Sequence, residues 1–167
     1  TSIPAYYGYY TKGGALQVCV VVGHEPGPII AHLCDLGPRF VYNANWPKGQ
    51  LSSIQAAIGA CPKNATALLI ALVDQPGLGS STVRRMVGEH RRHPEKILVA
   101  SYLGRSGHPV VFPRRVFKEL LAAPLSQGAR YVVQKHLADR ILVRTSDPAV
   151  VRDIDMPEQM RKIQSKI

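Results

Sequence analysis

Short apolar runs alternate along this chain with longer stretches in which apolar residues recur at helical spacing. Leu16 to Val22 is a nearly continuous valine-rich run ended by Gly23, the pattern of a strand buried on both faces of a sheet. Gly27 to Leu36 reads as a helix stopped by Gly37-Pro38, and Arg39 to Tyr42 as a second strand. A helix follows over Ser52 to Ala60, then the clearest buried strand, Ala67 to Val73, closed by Asp74-Gln75-Pro76-Gly77. Ser80 or Ser81 can cap a helix running to about His90, and Lys96 to Tyr102 is strand-like. A turn over Gly104 to Pro109 leads into the short run Val110 to Phe112. Helices over Arg114 to Ala122 and Ala129 to Leu137, a strand over Arg140 to Thr145, a turn at Asp147-Pro148 and a terminal helix over Glu158 to Ile163 complete the pattern. Strands alternating with helices predict an α/β sheet built from right-handed crossovers, in one domain over 16–167. Residues 1–15 receive no element.

Composition excludes several classes. Of the 167 residues, 46% are apolar and 19% charged, which is ordinary globular usage. The longest apolar run, Ala67 to Val73, falls far short of the roughly 20 residues that span a bilayer. The first residues lack the basic and apolar regions of a secretory signal. The spacing of Cys19, Cys34 and Cys61 fits neither a zinc ribbon nor a CxxC pair, and predicts reduced thiols in a cytoplasm. Two of the three sit in apolar surroundings and read as small core residues.

Lys plus Arg is 21 against 11 Asp plus Glu, a net charge of +10 that favours anionic partners such as nucleotides, phosphorylated metabolites, nucleic acid or acidic lipid. A merely solvated basic surface explains the excess equally well. The cations are dispersed, with modest clusters at Arg84, Arg85, Arg91 and Arg92 and at Arg161, Lys162 and Lys166. No basic run is interleaved with aromatics in the manner of a single-strand-binding groove.

Ligands of open α/β sheets collect outside the carboxyl ends of the strands. Asp74, His24 and Glu25, Asn43 and Asn45, the Gly104 to His108 turn, and Asp153 and Asp155 all follow strand-like segments. Separated carboxylates on one rim suit Mg²⁺, which takes one or two of them and completes its shell with phosphate oxygens and water. Against this stands the plainer reading that Asp74 caps a turn and that Asp153 and Asp155 flank the last helix. His90 and His93 lie among arginines without a third ligand and read as solvated.

Six segments carry more than their individual weight: CVVVGHE at 19–25, NANWPKGQLSS at 43–53, LVDQPGL at 72–78, SGHPVVF at 106–112, GAR at 128–130 and RDIDMPE at 152–158. In that order they resemble the MobA-like nucleotidyltransferases, the group containing the molybdenum-cofactor cytidylyltransferases. The resemblance implies a three-layer, Rossmann-like nucleotidyltransferase sheet of the nucleotide-diphospho-sugar transferase type. It also implies transfer of a nucleotide from an NTP, CTP or GTP, to a phosphorylated acceptor of molybdopterin type on Mg²⁺. By position, Asp74, Asp153 and Asp155 would hold the metal, with Asp74 and Asp153 catalytic. Gly49 and Ser53 would line the nucleotide pocket, and Gly107, His108 and Pro109 would contact the acceptor. Arg105 adds a fork suited to a phosphate. A molybdoenzyme or a chaperone is the kind of protein partner implied.

The family's glycine-rich LAAGxSxRMG loop, with the strand before it, has no counterpart ahead of Val18, since such a unit needs roughly 30 residues. The expected sheet is therefore incomplete at its N-terminus, with an edge open to self-association or a cleft to be filled. NTP–Mg²⁺ is expected to bind this chain weakly and to turn over slowly or not at all. Three readings stand: a nucleotidyltransferase, a non-catalytic cofactor- or partner-binding remnant of that fold, and a basic α/β domain that binds a polyanion. The rim carboxylates favour the first over the third, because nucleic-acid binding has no use for them.

Overall fold

The computed structural model describes the backbone of residues 5–11, 16–72, 75 and 77–152, and the side chains from residue 17 onward within those ranges. Seven strands form one sheet: β1 (Ala5–Thr11), β2 (Leu16–Val22), β3 (Arg39–Tyr42), β4 (Ala65–Leu72), β5 (Ile97–Tyr102), β6 (Arg105–Pro113) and β7 (Arg140–Arg144). Helices α1 (Pro26–Leu33), α2 (Gln50–Gly59), α3 (Ser80–Arg92), α4 (Phe117–Ala122) and α5 (Arg130–Lys135) connect them, with short 3-10 turns between. The strand order is β3-β2-β1-β4-β6-β5-β7. β2 runs parallel to β3, and β5 parallel to β7. β1 is antiparallel to both β2 and β4, and β6 to both β4 and β5. Hence β2, β3, β4, β5 and β7 share one direction, while β1 and β6 oppose it.

Two expectations are corrected here. The segment to which no element was assigned supplies β1, which sits between β2 and β4 with Ala5 opposite Val21 and Leu72. The anticipated gap in the sheet is thus filled by the chain itself, by a strand of reversed direction. Only four residues separate β1 from β2 in the sequence, and an antiparallel pair needs only a short link where a parallel one needs a crossover. The expected Gly104 to Pro109 turn is also shorter than its composition suggests. Leu103 and Gly104, both with positive φ (48° and 80°), form a two-residue hairpin turn, and the chain is extended from Arg105 onward.

Both faces of the sheet are covered. On one, Cys19, Val21, Leu68, Ile70, Ile97, Val99, Val110 and Phe112 meet Leu51, Ile54, Ala57 and Ile58 of α2, Leu120 of α4 and Val132 of α5. The spacing of the α2 residues places them on one helical face, and each large side chain so buried contributes about 1.5–3 kcal/mol. On the other face, Ala67, Leu69, Leu98, Ala100, Val111 and Val143 meet Met86 of α3 and Val150 of the 3-10 turn Pro148–Val151. Thr82, Met86 and His90 form the buried stripe of α3. His90 is therefore part of the packed interior and is not solvated. Burial holds its pKa below the ordinary histidine value, partly offset by Glu95, and Thr66 Oγ1 lies 3.4 Å from its Nε2. Cys19 is buried, Cys61 half-buried and Cys34 exposed, all as free thiols. No helix among the described residues is long and apolar enough to cross a membrane.

Candidate active site

The carboxyl ends of β2 and β3 are locked together by side chains. Val22 O accepts from Asn43 N at 2.8 Å, which carries the pairing one residue beyond β3. Asn43 is buried, and its Nδ2 donates to Ser52 Oγ (2.8 Å) and Ser53 Oγ (3.0 Å). Its Oδ1 accepts from Asn45 N at 2.9 Å, folding the loop back as an Asx turn. Ser52 Oγ lies 2.8 Å from the Gly49 carbonyl and 2.9 Å from that of Asn45, so its proton is shared between them. Gly49 adopts φ 96° at the start of α2, a conformation that disfavours any side chain. His24 and Trp46 pack with ring centroids 5.1 Å apart, and Trp46 lies so close to Gly23 that a Cβ there would fall 2.5 Å from the Trp46 Cβ. Gly49 and Ser53, the predicted nucleotide contacts, thus stand in one rigid corner.

Beside this corner lies a cavity of about 510 Å³. Gln50 and Ile54 of α2, Ser106, Gly107 and His108 of β6, and Ala129, Arg130 and Val133 around α5 line its sides, over a floor that includes Ile70, Val99, Val110 and Phe112. Arg140 also lines it, so among the described residues the lining includes two arginines and no acidic residue. A largely apolar cavity with two arginines in its lining suits a heterocycle bearing an anionic group. Of the predicted acceptor residues, Gly107 and His108 line this space, whereas Pro109, joined to His108 by a cis peptide bond, is buried and does not line it. Arg105 does not line it. Arg105 sits beside the hairpin turn, opposite Tyr102 and exposed, because the turn closes two residues before the Gly-His-Pro segment.

Asp74, Asp153 and Asp155, with the predicted helix over Glu158 to Ile163, lie outside the described residues; the segments that lead toward Asp74 and Asp153 are described up to Leu72 and Arg152. Asp147 accepts at Oδ2 from Gly79 N and Thr82 Oγ1, both at 2.8 Å, and at Oδ1 from Ala149 N at 2.9 Å. This long-range carboxylate caps α3, where a serine at the helix start was expected to do so; the N-cap is Gly79, which has no side chain to cap with. Burial pushes the Asp147 pKa up, yet the bonds from Gly79, Thr82 and Ala149, with the Arg152 charge, outweigh it and hold the group below the ordinary aspartate value. Val150 in turn rests on Gly107: a Cβ on that glycine would lie 1.8 Å from the Val150 carbonyl oxygen. Three segments, the approach to α3, the 148–151 turn and the start of β6, therefore form one block on the rim.

Mg²⁺, which the motifs imply, calls for hard oxygen ligands, and the carboxylate set Asp74, Asp153 and Asp155 is chemically suited to it. Asp147 is not available as a ligand in the same way, since both its oxygens already accept hydrogen bonds. Among the described residues there is no group of three His, Cys, Asp or Glu side chains placed to hold a metal. Arg130, Arg140 and Gln50 were not singled out from the sequence. Arg130 stands within the GAR segment, where a cation beside two small residues was a usable signal.

Comparison with known proteins agrees with the motifs. Residues 11–141 match the family described as the MobA-like NTP transferase domain. Nicotine blue oxidoreductase of Paenarthrobacter nicotinovorans is 34% identical over 163 residues, covering 90% of this chain and 76% of that protein. Among solved structures, Rv0371c of Mycobacterium tuberculosis superposes with a TM-score of 0.69 at 23% identity, covering 90% of this chain and 77% of that one. Molybdopterin-guanine dinucleotide biosynthesis protein A of Archaeoglobus fulgidus gives 0.62 at 14% identity, covering 88% and 79%. Order of motifs, sheet topology and the extent of the match converge: this chain belongs to the MobA-like NTP transferase domain family.

Proposed function

We propose that this domain transfers a nucleotide from an NTP to a phosphorylated, flat heterocyclic acceptor of pterin type. The observation that carries the reading is the cavity of about 510 Å³, which opens between the Gly49–Ser53 corner and the Gly107–His108 strand and bears Arg130 and Arg140. Base and ribose would lie against Gly49 and Ser53, and the acceptor ring in the cavity with its phosphate toward His108 and Arg130. An acceptor phosphate oxygen then attacks the α-phosphorus in line, the bond to the β-phosphate oxygen breaks, and pyrophosphate leaves. No protein nucleophile is required; the side chains position and neutralise. Asp74, Asp153 and Asp155 would hold Mg²⁺, which when bound offsets charge on both phosphates. CTP and GTP are the nucleotides the motifs favour.

Calorimetric titration with a phosphorylated pterin tests the acceptor half. Arg130→Ala and His108→Ala should each weaken binding at least tenfold, and Arg130→Ala, at an exposed position, should leave the melting temperature within about 2 °C. Absence of pterin binding, or equal binding by both variants, contradicts the assignment.

The 34% identity to a protein named nicotine blue oxidoreductase supports a second reading, in which this domain is an oxidoreductase whose substrate occupies the same cavity. Consumption of added nicotine blue in the presence of NADH or NADPH, with no release of pyrophosphate from any NTP, would favour it over nucleotidyl transfer.

A further inference from the structure

Arg140 is a partly buried cation with no compensating group among the described residues. It opens β7, is less exposed than Arg39, Arg114 or Arg115, and lines the cavity of about 510 Å³. Those three more exposed arginines all have acceptors: Arg39 the Ala60 carbonyl, Arg114 the Ala65 carbonyl and Arg115 the Glu95 carbonyl. Among the described residues, no ion pair and no side-chain hydrogen bond engages Arg140. The acids of this region are turned elsewhere. Asp139, next in sequence, lies 2.6 Å from Lys96 Nζ and 3.6 Å from an Arg115 nitrogen, and Glu119 lies 2.9 Å from both Lys135 Nζ and His136 Nε2. A guanidinium taken partly out of water without an acceptor keeps an uncompensated desolvation cost, which an anion entering the cavity would offset.

Strand register places Arg140 well away from the end of the cavity where transfer would occur. Arg140 pairs with Ile97 of β5, whereas Ser106, which lines the cavity beside Gly107 and His108, pairs with Ser101. β6 lies on one side of β5 and β7 on the other. Four residues along β5 at about 3.3 Å each, and two strand spacings of about 4.8 Å, put the Cα atoms of Ser106 and Arg140 roughly 16 Å apart. That span suits a ring system with a substituent at each end. We propose that Arg140 is a specificity-determining residue that binds a second anionic group of the acceptor. The acceptor class is then a heterocycle with the reacting phosphate at one end and a carboxylate or phosphate at the other. The inference rests on the nucleotidyltransferase reading of this cavity and deepens it.

The test is calorimetric titration of the full chain with two probes. One is 6-hydroxymethylpterin monophosphate; the other is its N2-carboxymethyl derivative, which adds a carboxylate at the opposite end of the ring. Wild type should bind the two-ended probe at least tenfold more tightly than the one-ended probe. Arg140→Gln should bring the two affinities within twofold of each other while leaving the one-ended probe within twofold of its wild-type affinity. Arg140→Lys, which keeps the charge and loses the fork, should retain part of the preference. Arg130→Ala should weaken both probes alike. The wild-type comparison needs no variant to fold: if the added carboxylate improves binding less than twofold there, the subsite is overturned. It is overturned equally if Arg140→Gln keeps the preference, or if that variant weakens both probes by the same factor, the mark of a merely structural role. Binding of the one-ended probe that depends on Arg130, with no gain from the added carboxylate, defeats the subsite alone. If neither probe binds wild type, the pterin-type acceptor reading fails and this inference with it.

Discussion

Replacing Gly107 by alanine puts the packing of the rim to a direct steric test. The new methyl carbon would stand 1.8 Å from the Val150 carbonyl oxygen, 2.7 Å from its carbonyl carbon and 3.2 Å from its Cγ1. Two of these atoms belong to backbone, so no side-chain rotation relieves the clash. Ordinary contact would require the 148–151 turn to retreat by more than an ångström. That turn is held by Asp147 below and by the fully buried Val150 side chain against Ala67, Leu98 and Val111, so retreat opens the core. Overpacking against a yielding neighbour costs about 1–3 kcal/mol, and the upper end applies where backbone must move. At 2–4 °C per kcal/mol for a chain of this size, the melting temperature should fall by about 6–12 °C. Gly27→Ala is the matched control. It lies in α1 with nothing within 4 Å of a built Cβ, and should be neutral or raise the melting temperature slightly. Thermal denaturation followed by circular dichroism reads both. A Gly107→Ala protein melting within about 2 °C of wild type would refute the close approach of the turn to β6, and with it the block described on the rim.

Asn43→Ala deletes the acceptor of the Asn45 N–H and the donor to Ser52 and Ser53, and should lower urea stability by about 2–3 kcal/mol, with the m-value unchanged. His90 titrates below the ordinary histidine value because burial disfavours its charged form. A depressed folded pKa means that its contribution is fully present above the unfolded value of about 6.5 and is lost as pH falls from there through the folded value. Urea midpoints should accordingly drop between pH 7.5 and 5.0 in wild type and drop less in His90→Gln. Arg105→Ala should leave binding of a phosphorylated pterin within twofold of wild type in calorimetry, since Arg105 stands at the hairpin and not in the cavity.

The elements legible in the sequence are those whose pattern is local. The valine run at 16–22 and the apolar block before residue 73 lie in the interior of the sheet and their composition announces it, and the short strand at 39–42, at the sheet edge, is marked off by Gly37-Pro38 before it. β1 escaped because AYYGYYT carries no alternation of apolar and charged residues, and its place depends on an open slot between two distant strands. The Gly104 to Pro109 stretch was misread because glycine, serine and proline signal turns, whereas Leu103-Gly104 alone makes the reversal. His90 shares its stripe with Met86 and Thr82, and the arginines around it on α3 masked that spacing. Of the residues that motif order pointed to in the candidate site, Gly107 and His108 line the cavity, and Gly49 and Ser53 stand next in sequence to its lining residues Gln50 and Ile54. Asp147, Arg130 and Arg140 acquire their roles from contacts across scores of residues, which no local pattern encodes.

The most direct measurement of the central claim is nucleotidyl transfer itself, with wild type and Asp74→Asn side by side. CTP, GTP and ATP labelled at the α-phosphate are offered with Mg²⁺ and molybdopterin, and both pyrophosphate release and labelled product are followed. The account predicts product formation that requires both acceptor and Mg²⁺, runs slower than about 1 s⁻¹, the low end of ordinary turnover, and is lost in Asp74→Asn. Transfer that persists in Asp74→Asn, or no transfer from any of the three nucleotides, would contradict it.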